Sequence, residues 1–210
     1  MLEGWLADDS SLTAKLIAHC RQFRVQRLHQ VRERCLGDEA GALALVRAQR
    51  TWEREVLLRC DQKPVVFAHS VVPLSCTAAD WPLFRTLGER SLGTILFDDP
   101  QVVRGSLHYA SIWPAHPLYQ RARLALAQTQ DWPGAATLLP SGSPLSPLSP
   151  LSPQELPPLL PLPPRLFARR SLFQRRQGIL LVTELFLPAL ATLAANRNEA
   201  QPSALTRQGN

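Results

Sequence analysis

Lysine is almost missing from this chain: of its 23 basic residues only Lys15 and Lys63 are lysine. So uniform a preference for arginine reads as compositional bias and not as a site. Cysteine is sparse too, with four scattered residues, Cys20, Cys35, Cys60 and Cys76, and no Cys-x-x-Cys pair. That excludes a disulfide-stapled mini-protein and a cysteine-based zinc or redox centre, and predicts reduced thiols in a cytoplasmic protein. No apolar run reaches the length of about 18 residues that a membrane-spanning helix needs. The first residues, MLEGWLADDSS, are acidic where a secretory signal needs positive charge. A Gly-x-Ser-x-Gly elbow and phosphate-loop glycines are lacking. The five histidines, His19, His29, His69, His108 and His116, show no metal-ligand spacing.

What is present is a globular composition. The 210 residues are 45% hydrophobic and 19% charged, outside the regime of intrinsic disorder and enough to bury one substantial core. The net charge of +6 admits either a nucleic-acid surface or a pocket for small anions, and does not choose between them. Arginines 21, 24, 27, 32 and 34 fall on both faces of an extended segment, which favours a solvated edge over a phosphate-binding ridge. The pairs Arg169-Arg170 and Arg175-Arg176 are read with the same caution.

Two composition breaks divide the chain. Residues 140–164 hold ten of the 19 prolines and repeat Pro-Leu-Ser from Pro144 to Pro153. Proline removes a backbone donor and fixes φ, so this segment is expected to be an extended insertion. The tail at 191–210, polar from Asn196 to Asn210, is expected to fray. The domain proper is thus residues 1–190.

Within it, Asp9, Ser10 and Ser11 are caps for a helix through Leu12, Leu16 and Ile17. Phe23 to Val31 reads as extended, with imperfect alternation, and residues 38–48 as helical. Trp52 to Cys60 and Val65 to Val72 flank Asp61-Gln62-Lys63-Pro64 and predict a hairpin. Trp81 to Leu87 and Leu92 to Phe97 read as two short helical pieces, followed by a strand around Val102 to Tyr109. Ile179 to Leu187 is a short, strongly apolar run bounded by Gly178 and Pro188, which favours a buried central strand.

Two charges stand out by their surroundings. Period-two alternation puts Arg54 on one face with Trp52, Val56 and Leu58, and Glu184 on one face with Leu180, Val182 and Phe186. Breaking a buried pair costs about 3–5 kcal/mol, so each charge needs a partner. Either the two form a core salt bridge, or they line opposite ends of an internal cavity. In the second case the guanidinium clamps a ligand carboxylate while the carboxyl faces a hydroxyl or a leaving group. Desolvation raises the pKa of a buried carboxyl in general, which suits proton transfer near neutral pH.

Together, Trp52-Glu53-Arg54-Glu55, Ser70-Val71-Val72-Pro73, Leu87-Gly88-x-x-x-Leu92-Gly93-x-x-Leu96-Phe97 and Thr183-Glu184-Leu185-Phe186-Leu187-Pro188 resemble the chorismate lyase family of ubiquinone biosynthesis. The similarity spans roughly residues 5–190, without the proline-rich insertion. The resemblance implies an α+β fold: one domain with an antiparallel sheet of about six strands, and helices and flaps covering an internal ligand cavity. It implies a lyase that converts chorismate to 4-hydroxybenzoate and pyruvate without a cofactor, as the first committed step of ubiquinone biosynthesis. Arg54 would bind the ring carboxylate and Glu184 the 4-hydroxyl end as the proton-transfer group. Leu92 and Leu12 would be the flap contacts, Leu12 replacing the family's usual methionine. His69 stands where the family often has arginine, so an anion contact there would be weakened or made pH-dependent. The expected partners are substrate and product alone, with no nucleic acid, no stable membrane insertion and a monomeric state. The competing expectations are an effector-sensing domain of the same architecture, which binds without turnover, and a proline-rich adaptor with a basic surface.

Overall fold

The computed structural model describes residues 3–128 and 162–199. Its centre is a six-stranded antiparallel sheet: β1 (Phe23–Arg34), β2 (Arg50–Cys60), β3 (Lys63–Pro73), β4 (Val102–Ile112), β5 (Leu166–Arg175) and β6 (Gly178–Phe186). The order across the sheet is β1-β2-β3-β6-β5-β4. The apolar run that suggested a central strand is β6, and it lies inside the sheet between β3 and β5. The hairpin joining β2 to β3 turns on Asp61 and Gln62, at φ 48° and 67°. A two-residue turn with both φ values positive matches the twist of the paired strands. Asp61 further accepts the Arg21 and Gln22 amides at 2.9 Å each.

β1 is an edge strand, and Arg24, Arg27, Arg32 and Arg34 are exposed on it. Its imperfect alternation has a cause: the pairing with β2 slips between Arg27 and His29, so Leu28 is an extra residue that re-phases the strand.

Helices cover both faces. On one lie α1 (Glu3–Leu6), α2 (Leu12–His19), α3 (Leu92–Asp98), a 3-10 turn at Pro82–Thr86 and α4 (Pro188–Glu199). They pack Trp5, Leu12, Leu16, Phe84, Leu92, Leu96 and Leu190 against Val56, Leu58, Val66, Val72, Phe173, Leu180 and Phe186. The other face is covered by α5 (Pro117–Ala127), whose Leu118, Ala122, Ala125 and Leu126 meet Leu57, Phe67, Ala168 and Leu185. A short helix, α6 (Gly37–Ala42), brings Ala40 beside Val71 and Leu181.

Several expectations need correction. The helix foreseen at 38–48 stops at Ala42 and turns through Ala44 at φ 54°. The short helical piece expected at Trp81 to Leu87 is present as the 3-10 turn Pro82–Thr86. α4 runs to Glu199, so the first residues of the stretch expected to fray are helical. Most of the proline-rich insertion, up to residue 161, and the chain end from residue 200 lie outside the described residues. Among the described residues no helix is long and apolar enough to cross a membrane.

Candidate active site

A cavity opens between α2, α3 and the sheet, with an empty volume of about 570 Å³ counting the space at its mouth. Leu12, Arg54, Leu92 and Glu184 all line it. The pleat explains why. Arg54, Val56 and Leu58 of β2, Ala68 and Ser70 of β3, and Val182 and Glu184 of β6 point to the same side and form the floor.

Register orders this floor into two rows. Arg54 lies opposite Ser70, Ser70 opposite Val182, and Val182 opposite Ser171. One pleat further along, Val56 lies opposite Ala68, Ala68 opposite Glu184, and Glu184 opposite Arg169.

Arg54 and Glu184 do not pair with each other. Arg54 Nη2 donates to the Gly88 and Arg90 carbonyls at 3.0 and 2.9 Å, and its buried Nε makes no hydrogen bond. Burial, with Arg27 adding repulsion, pushes its guanidinium down to about 10, so it stays charged at neutral pH. Glu184 Oε2 accepts from Arg169 Nε at 2.6 Å, and 17% of the Glu184 side chain remains exposed. The partner that this carboxylate was expected to need is therefore Arg169 and not Arg54, and the carboxylate is part-exposed. The sequence does not single out Arg169, because Arg169 and Arg170 are adjacent in β5 and present one guanidinium to each face. The signal was available in the alternation Phe167, Arg169, Ser171, Phe173, which is the same kind of pattern that singled out Arg54.

Two flaps close the cavity. α2 is capped by Ser11 and α3 by Ser91, whose side chains accept the Ala14 and Thr94 amides. Thr13 Oγ1 and Ser91 Oγ lie 2.9 Å apart and join the flaps directly. Gly93 permits the approach, since a Cβ there would stand 2.5 Å from Thr13 Oγ1. Cavity arginines hold the flap backbone as well. Arg169 Nη1 donates to the Asp8 carbonyl at 2.9 Å, and Arg104 Nη1 to that of Asp9 at 2.7 Å. Leu12 and Leu92 are buried beneath.

His69 is not in this cavity, which corrects the expectation of an anion contact there. It points to the opposite face and is fully buried among carboxylates. Its Nδ1 meets Glu55 Oε1 at 3.0 Å, and its Nε2 lies 2.9 Å from Glu39 Oε1 in poor alignment. Burial alone would lower its pKa, but Glu39 and Glu55 outweigh burial and raise it to about 9. Arg121 Nη1 bridges Glu53 and Glu55 at 2.6 and 2.8 Å, with His29 Nε2 3.0 Å from Glu53. His29, Glu53 and Glu55 could each offer a metal one ligand atom, the three atoms lying within 4.8 Å of one another. The Arg121 guanidinium already supplies positive charge between those carboxylates.

Residues 1–131 match the family model described as chorismate lyase. The chain belongs to the chorismate lyase family. Curated relatives agree with the family model. A protein of Ralstonia nicotianae named "Probable chorismate pyruvate-lyase" is 43% identical over 187 residues, covering 89% of this chain and 81% of its own. One of the same name from Methylobacillus flagellatus is 36% identical over 189 residues, covering 90% and 88%. Among solved structures, the effector domain of PhnF from Mycobacterium smegmatis aligns over 86% of this chain and 90% of its own, at TM-score 0.48 and 14% identity. As a chorismate lyase family member the chain is an enzyme, and the cavity between the flaps is where its chemistry is sought.

Proposed function

We propose that the protein converts chorismate to 4-hydroxybenzoate and pyruvate, supplying the aromatic ring for ubiquinone biosynthesis. The observation that carries this reading is the placement of Arg54, without an ionic partner among the described residues, and of Glu184 on adjacent rows of one cavity floor. Arg54 anchors the ring carboxylate through its planar fork. Glu184 lies against the 4-hydroxyl end, and Arg169 fixes its orientation through the 2.6 Å contact.

The reaction is an elimination. The C3–O bond breaks and its electron pair leaves with enolpyruvate, the C4–H pair becomes the new ring bond, and the proton passes through Glu184. Enolpyruvate ends as pyruvate by taking a proton on carbon. Aromatisation drives the step, so the protein chiefly orients a dianion and handles protons. Leu12 and Leu92 seal the cavity and strengthen every charge contact within it. A product held behind closed flaps leaves only when they open, so flap opening limits release.

The test is the purified protein with chorismate, followed for 4-hydroxybenzoate and pyruvate. Stoichiometric appearance of both, with a slow phase of product release in stopped flow, is expected. Binding without turnover would favour an effector-sensing domain and sink the enzymatic reading.

A further inference from the structure

The cavity is lined by three guanidiniums, Arg54, Arg104 and Arg169, against one carboxylate, Glu184. Arg169 is spent: its Nε holds Glu184 and its Nη1 holds the carbonyls of Trp5 and Asp8. Arg54 and Arg104 are ion-paired to nothing among the described residues. With no counter-ion for either, a guest that carries two negative charges would meet one cation at each end of the cavity.

Their placement is as informative as their number. Arg104 Nε donates to Ser171 Oγ at 3.0 Å, so it stands at the far end of the row that begins with Arg54 and runs through Ser70 and Val182. Arg54 and Ser171 are thus three strand spacings apart, roughly 14 Å along the floor. The Arg104 guanidinium stands beside both rings of the Phe97–Phe173 pair, 5.6 and 5.7 Å from their centroids. Among the described residues no hydrogen bond is recorded for its remaining nitrogen, Nη2. Burial and then the neighbouring Arg169 lower its pKa, outweighing the opposite pull of Glu184, Asp9 and Tyr109.

We propose that Arg104 receives the second carboxylate of the substrate, the one that departs with pyruvate. This rests on the reading of the site given above. With the ring carboxylate at Arg54 and C4 at Glu184, the ether at C3 must extend past the Glu184 end of the floor, away from Arg54. Arg104 occupies that end. The cavity then distinguishes substrate from ring product by charge. Chorismate meets both cations, whereas 4-hydroxybenzoate meets only Arg54.

Calorimetric titration with two probes tests this. Chorismate binding is measured in a Glu184→Gln background, where turnover is suppressed, and 4-hydroxybenzoate binding in the otherwise native chain. Adding Arg104→Gln is expected to weaken chorismate at least tenfold and to change 4-hydroxybenzoate less than twofold. Arg104→Lys, which keeps the charge and loses the fork, should recover part of the loss. Arg54→Gln should weaken both ligands. Equal weakening of both by Arg104→Gln would show a merely structural role, and no weakening of either would show that Arg104 is not a receptor. Either result overturns the proposal. Failure of the native chain to form 4-hydroxybenzoate would sink the enzymatic reading separately, because the titrations report binding alone.

Discussion

Arg169 and Glu184 face each other across β5 and β6 at 2.6 Å, and this contact fixes the one carboxylate of the cavity. Glu184 is therefore a positioned ion and not a carboxyl isolated in hydrocarbon, and its direction toward the cavity depends on a neighbour that is itself 2% exposed. Residues coupled this tightly act as a unit. Arg169→Gln should lower turnover nearly as far as Glu184→Gln does, and the double variant should be little worse than either. Additive losses in kcat would show that the two act independently.

Arg54 and Glu184 should separate binding from chemistry. Arg54→Ala removes a desolvated charge and should weaken 4-hydroxybenzoate binding about thirtyfold or more, equivalent to about 2 kcal/mol. Glu184→Gln keeps shape and hydrogen bonding and should lower kcat about a hundredfold or more. Steady-state kinetics with product inhibition reads both. Full activity in both variants would mean that the site is misassigned.

Gly93→Ala should loosen the flaps. The added methyl would stand 2.5 Å from Thr13 Oγ1, so the Thr13–Ser91 hydroxyl contact must lengthen or break. Product dissociation in stopped flow is expected to become severalfold faster, with product inhibition reduced to match. An unchanged release rate would show that this contact does not limit opening.

The buried carboxylates around His69 make stability depend on pH in two directions. His69 is raised from 6.5 to about 9, so its contribution is complete below pH 6.5 and is lost as pH climbs through 9. Glu39 and Glu55 are opposed by their own burial, but His69 holds both below the ordinary value of 4.5. Their contribution is present above pH 4.5 and is lost as pH falls further. Thermal melting should therefore peak between about pH 4.5 and 6.5 and decline toward pH 10. His69→Gln should melt lower at pH 6 and lack the alkaline decline. An identical alkaline slope in that variant would exclude His69 as its source.

Legibility in the sequence followed the sheet's periodicity. β2, β3 and β6 are readable as extended strands, so period-two geometry alone places Arg54 and Glu184 on faces, and the turn chemistry after Cys60 sets the hairpin. α5 and β5 were not read. α5 starts at Pro117 and carries Leu118, Ala122 and Leu126 at helical spacing, but its many alanines and arginines give a weak apolar stripe. β5 hid Arg169 because successive arginines serve opposite faces. Arg104 offered no pattern at all. It matters through a serine on a neighbouring strand and two aromatic rings, relations that only tertiary structure creates. The same holds for His69, whose surroundings come from β2 and α6.

Strand β2 turns its neighbouring opposite charges to opposite sides of the sheet. Along β2, Arg54 turns to the cavity while Glu53 and Glu55 turn to the buried cluster beneath α5 and α6. A library of every single substitution, scored once for cellular abundance and once for growth without added 4-hydroxybenzoate, should then show an odd–even rhythm through this strand. Changes at 53 and 55 would deplete the protein, and changes at 54 would leave it plentiful but idle. Selection acting on catalysis and selection acting on persistence would thus leave interleaved marks on a single stretch of backbone.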